Sequence, residues 1–188
     1  MWWPRLCAAR RRLRGLAVVL AAASLTAGCF EPLYGTRPSI DSESVHDKLG
    51  AIEITIVPPR QGSPEARLAV ALRNALQYDF NGGAGANAPT HRLVVTVSTS
   101  RITVTVDPLS GRPTAEIDGV AANYQLVEIA TGKLVVRAST YAHVDYDVPG
   151  PEQRFAKQRA QRNAEDRAVE GIAETIRNRL ASFFIAGT

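Results

Sequence analysis

Cysteine, methionine and histidine are nearly absent from this chain: its 188 residues include two Cys, one Met and three His. Cys7 and Cys29 both precede residue 30, so the remainder holds no disulfide, no thiol nucleophile and no thiolate metal ligand. His46, His91 and His143 are scattered, with no ligand spacing around any of them. Each reads as a surface or half-buried imidazole, and no metal site is expected. A phosphate-binding glycine loop is missing too. Asn81-Gly82-Gly83-Ala84-Gly85 comes nearest, but it follows a helical pattern, whereas a phosphate loop follows a strand and opens a helix. There is no nucleophile elbow. Asp145 and Asp147 share a strand face, yet beside Pro149 they read as a solvated strand end rather than an acid–base pair. The expectation is a protein that is not an enzyme and takes no cofactor.

Negative charge is missing from the start of the chain. No acidic residue precedes Glu31, whereas Arg5, Arg10, Arg11, Arg12 and Arg14 do. An apolar run, Leu16–Leu25, follows the arginines, and then come the small residues Ala27 and Gly28 before Cys29. A basic region, a short apolar region and a small-residue cleavage site together make a secretory signal over residues 1–28. The apolar run is too short to span a bilayer, which takes about 20 apolar residues. Leu25-Thr26-Ala27-Gly28-Cys29 resembles the lipobox of bacterial lipoproteins. That resemblance implies cleavage between Gly28 and Cys29 and a covalent diacylglycerol and acyl lipid on Cys29. The net charge of +4 comes from the signal: without those five arginines, 17 basic side chains face 18 acidic ones. No nucleic-acid partner is therefore expected.

What remains after residue 28 suits one domain. Residues 29–50 read as an extended, lipidated tether, with Leu33 and Tyr34 able to dock, and residues 51–188 as the folded unit. Ile52, Ile54 and Ile56 alternate and predict a strand ended by Pro58-Pro59. Ser63-Pro64-Glu65 starts a helix whose Leu68, Leu72, Leu76 and Phe80 lie on one side, and Asn81-Gly82 stops it. Three strands follow, at about 91–107, 115–129 and 133–147. Along the first of them the apolar set changes from Leu93, Val95 and Val97 to Ile102, Val104 and Val106, which predicts a bulge or bend near Ser98–Ser100. Thr131-Gly132 makes a hairpin. A last helix, about 152–186, carries a core face from Ala168 onward. Its first half is rich in arginine and reads as solvated, with the alanine row Ala156, Ala160, Ala164 and Ala168 drifting off the core face. The expected fold class is α+β: a four-stranded mixed sheet in the order strand, helix, three strands, helix. Both helices pack on one face and the other face stays open.

The start of the expected mature chain, Phe30-Glu31-Pro32-Leu33-Tyr34-Gly35 after a lipobox cysteine, resembles the alphaproteobacterial LptE family of lipopolysaccharide-assembly lipoproteins. The ending fits as well, with Arg159-Ala160-Gln161-Arg162-Asn163-Ala164-Glu165-Asp166-Arg167-Ala168, then Ile172, Ile176 and Arg179-Leu180-Ala181. The resemblance implies a lipid-anchored protein on the periplasmic side of the outer membrane. There it would plug an LptD-type β-barrel, help assemble it, and assist insertion of lipopolysaccharide into the outer leaflet. Phosphates on that glycolipid favour Arg101, Arg112, Lys133 and Arg137, the basic residues of the three-strand region, as contacts with lipopolysaccharide or barrel. A different auxiliary lipoprotein, serving a periplasmic lipid transport system, shares the layout and stays open.

Overall fold

The computed structural model describes residues 44–85, 88–149 and 153–186. The signal, the Gly28–Cys29 cleavage site, Cys29 and the tether through residue 43 lie outside them. The elements are α1 (Val45–Gly50), β1 (Ile52–Ile56), α2 (Pro64–Asn81), β2 (His91–Val106), β3 (Pro113–Glu128), β4 (Leu134–Asp147) and α3 (Arg154–Ala186). The sheet order is β1-β2-β3-β4, with β1 parallel to β2 and the rest antiparallel. This is the mixed four-stranded sheet that the alternation implies, since the parallel β1–β2 pair needs the crossover that α2 provides.

A third helix, α1, stands where an extended tether was expected. Ser44 caps it: its Oγ accepts the Asp47 N–H at 3.1 Å, and the Asp47 carboxylate accepts the Ser44 N–H at 3.1 Å. This reciprocal capping box closes one short turn. Leu49, only 2% exposed, ties α1 into the core, so the folded unit reaches back to Ser44.

The core lies between the sheet and the two long helices. Leu68, Leu72, Leu76 and Phe80 of α2 and Ile172, Ile176 and Leu180 of α3 meet Ile52, Leu93, Val95, Val120 and Leu126 of the sheet, all buried. Each such side chain contributes on the order of 1.5–3 kcal/mol through burial. Gly82 ends α2 in the left-handed region at φ 67°, with its N–H on Tyr78 O. β2 and β3 each run 16 residues, about 50 Å. The 33-residue α3 matches that length. β1 does not: it pairs only with His91–Val95, so among the described residues the rest of β2 is a sheet edge.

The change of phase in β2 has a different cause from the expected bulge. Pairing with β3 is continuous from His91 to Thr103, and the irregularities fall between Thr103 and Val106. The strand alternates without a break from His91 to Thr103. Leu93, Val95 and Val97 face the helices and are buried, whereas Ile102 sits on the opposite, open face, and Val104 and Val106, in the irregular stretch, are exposed like it, the three at 48–57%. Polar residues take over the helix-facing side where the apolar cover of α2 ends.

Candidate functional site

Beyond Val97, Val120 and Ala142 the helix-facing side of the sheet becomes charged. Glu116 and Asp118 occupy the same alternate positions of β3 as Val120, Ala122, Tyr124 and Leu126, and so point inward. Arg101 pairs across from Asp118, and Tyr146 of β4 across from Glu116. The first half of α3 lays Lys157, Gln161 and Glu165 over them. Ala164 and Ala168, both buried, allow this close approach, so half of the alanine row faces the sheet after all.

Glu116, Asp118 and Glu165 are each about 95% buried, and the cations sit outside them. Arg101 Nε donates to Asp118 at 2.7 Å and lies 3.8 Å from Glu116, and its Nη2 is 4.0 Å from Glu165. Lys157 Nζ donates to Glu116 at 2.9 Å, and Tyr146 Oη donates to the other Glu116 oxygen at 2.6 Å. Gln161 Nε2 donates to Glu165 at 2.8 Å. Arg67 of α2 bridges Glu165 and Asp166, the latter at 2.7 Å. Burial alone would raise the Glu116 carboxyl, but the Tyr146 and Lys157 hydrogen bonds and the nearby cations outweigh it and hold it low. The Asp118 hydrogen bond raises the Arg101 guanidinium against its own burial. Burial, reinforced by Glu116, pushes the Tyr146 phenol well up. Every buried carboxylate thus has a cation, which fits a fastening of α3 to the sheet better than a proton-transfer site. A cavity of about 200 Å³ opens beside it, lined by Pro64, Thr99, Arg101, Asp118 and Glu165.

The same end of the molecule carries the β2–β3 loop. Asp107 Oδ1 accepts the N–H groups of Leu109 and Ser110 at 2.7 and 3.2 Å, and those bonds hold its carboxyl low. Gly111, at φ 66°, closes the turn onto Asp107 O. This ordered loop presents Leu109, 98% exposed, to solvent. Arg112, Pro113, Val148, Pro149 and Lys157 line a cavity of about 610 Å³ behind it.

Arg101 and Arg112 therefore share one end of the sheet. Lys133, in the β3–β4 hairpin, lies at the other end, and Arg137 is on the open face of β4 opposite Gln125. Lys157 joins Arg112 at the tip and was passed over as one of many solvated helix cations. Glu116 and Asp118 were legible from the alternation of β3; Glu165 and Tyr146 needed the packing. His46 and His143 are exposed and His91 half-buried against Phe184. Among the described residues no cluster of His, Cys, Asp and Glu is arranged to hold a metal.

A family model described as LptE, lipopolysaccharide-assembly, matches residues 49–180, the whole sheet and nearly all of both long helices. The chain belongs to the LptE family. The fold is similar to that of a putative lipoprotein from Caulobacter crescentus CB15, with TM-score 0.57, 19% identity, and coverage of 77% of this chain and 97% of that one. It is also similar to the rare lipoprotein B of Shewanella oneidensis, with TM-score 0.52, 17% identity, and coverage of 71% and 96%. No curated protein matches the sequence significantly. LptE membership places the protein in lipopolysaccharide assembly and gives the charged end and its exposed loop a context.

Proposed function

We propose that this LptE-family protein is a non-enzymatic outer-membrane lipoprotein, anchored through lipid on Cys29. It plugs an LptD-type β-barrel, helps assemble it and assists insertion of lipopolysaccharide into the outer leaflet. The observation that carries the reading is the loop tip, where the fully exposed Leu109 stands beside a cavity walled by Arg112 and Lys157. Apolar and cationic groups side by side suit an anionic amphiphile, since Arg112 meets phosphate and the leucine meets acyl chain, while Lys157, paired with Glu116, completes the wall. Arg101, held by Asp118, shapes this end rather than reaching out. Lys133 and Arg137, at the far end and on the open face, are assigned to the polar lumen of the barrel. The buried ion-pair network fastens α3 to the sheet at this end.

Affinity purification of the chain from detergent-solubilised membranes tests this. A large outer-membrane β-barrel is expected to co-purify, and recovery of an inner-membrane transporter alone would overturn the reading in favour of a periplasmic lipid-transport role. Cys29→Ala should yield an unprocessed or soluble form; unchanged mass and membrane partitioning would remove the anchor from the account.

A further inference from the structure

No described element covers the face of the sheet turned away from the helices, and its centre is chemically distinct. The register aligns Thr96, Asn123 and Ser139 in one row across β2, β3 and β4. Ser98, Ala121 and Tyr141 form the next row, and Ser100, Gly119 and His143 the one after. None of these side chains is a carboxylate, an ammonium or a guanidinium. Charge returns only beyond them, at Asp145 on one side and Arg137 on the other.

The middle of this patch is built rather than merely bare. Tyr141 is 72% exposed, and its ring lies 5.3 Å from the His143 ring at a 44° tilt. Gly119 is the floor. A Cβ there would stand 2.5 Å from Ser100 Oγ and 2.9 Å from His143 Cδ2, so those two side chains lean together over it from the flanking strands. A depression of about 80 Å³ beside them is lined by Ser98, Ser100, Tyr141 and His143.

An exposed aromatic ring beside several hydroxyls and an imidazole, with no carboxylate, ammonium or guanidinium among them, complements a sugar ring. The C–H face of a pyranose lies on the aromatic face, and its hydroxyls exchange hydrogen bonds with Ser and His. A phosphate or carboxylate would be desolvated here without a cation, and an acyl chain would bury hydroxyls unpaired. We propose that this face is a binding platform for neutral sugar residues of the lipopolysaccharide glycan, with Tyr141 as the stacking ring and Ser98, Ser100 and His143 as hydrogen-bonding partners. It rests on the lipopolysaccharide reading above, and adds to it a site for the glycan separate from the loop tip.

The test uses the full chain purified from membranes in a sugar-free detergent such as lauryldimethylamine oxide. Two probes are titrated by saturation-transfer NMR: maltoheptaose, and lipopolysaccharide glycan freed of acyl chains and phosphate. Saturating the protein aromatic protons is expected to reach ring C–H protons of at least one probe. Tyr141→Ala should weaken that binding about tenfold, Tyr141→Phe by less than about twofold, and Arg73→Glu, at an exposed position of α2, not at all. Tyr141 is solvent-exposed, so unchanged thermal melting of the variants confirms intact folding. Absence of transfer to both probes, or equal affinity in Tyr141→Ala, overturns the proposal. So does loss of barrel co-purification in Tyr141→Ala with sugar binding unchanged, which would assign the face to the barrel wall. Failure of the wild-type chain to recover a barrel would sink the plug reading while leaving the sugar measurement to stand or fall by itself.

Discussion

Replacing Arg101 with methionine probes the buried network at its most asymmetric point. Arg101 is 44% exposed, whereas its partner Asp118 is 5% exposed. Removing the guanidinium leaves a carboxylate in the interior with Glu116 and Glu165 nearby and only Lys157 and Arg67 to offset all three. Breaking a fully buried pair from one side costs about 3–5 kcal/mol. Here the arginine is partly solvated and Asp118 lines the adjoining cavity, so about 2–3 kcal/mol is the reasonable expectation. For a domain of this size that lowers Tm by about 4–12 °C. Adding Asp118→Leu to Arg101→Met should recover much of the loss, because an apolar pair of similar volume replaces a buried ion pair at little cost. Thermal unfolding followed by circular dichroism measures both variants. Amide exchange should also show the Arg101→Met loosening concentrated in residues 154–167 of α3, which the network holds, with 168–184 protected by the apolar core. A Tm within about 2 °C of wild type for Arg101→Met, or a double variant no better than the single, would refute the claim that charge pairing fastens this half of the helix.

Three further outcomes follow from the packing. The Glu116 carboxyl is held below its ordinary value, so its stabilising contribution is complete above the unfolded-state pKa of about 4.3 and disappears as pH falls through the lower folded value. Melting curves from pH 7 to 2.5 should show an acid loss that is shallower in Glu116→Gln; identical slopes would remove Glu116 from the acid response. Gly119→Ala forces a methyl against Ser100 Oγ and His143 and should cost about 1–3 kcal/mol, with part restored by Ser100→Ala, as denaturant titration would read. Leu72→Ala, at a position 1% exposed between α2 and the sheet, should cost about 2–5 kcal/mol in the same titration, and a loss under about 1 kcal/mol would contradict the packing described.

Much of the architecture was legible along the chain because its elements are long and regularly patterned. Ile52, Ile54 and Ile56 announced β1, the Leu68–Phe80 row announced α2, and Gly82 and Gly132 marked the stops. Short-range signals that depend on a single contact were weaker. The Ser44–Asp47 box is a helix start in six residues, too short to show periodicity, and the packing of Leu49 and Val45 on the core adds to the box in stabilising it.

The local pattern by itself determined the order of the four strands and the two long helices and the core faces of α2 and the second half of α3, because these rest on spacing between near neighbours; the family entered through the resemblance of the two terminal motifs. Tertiary structure alone decided the roles of the charged residues. Arg101, Lys157 and Glu165 lie far apart in the chain and look like ordinary surface groups; β-register and the overlay of α3 bring them together around the inward-pointing Glu116. Likewise Ile102 and Val104 repeat like core residues. Whether they are core or surface depends on what lies above each face of the sheet, and α2 and α3 both pack on the other side.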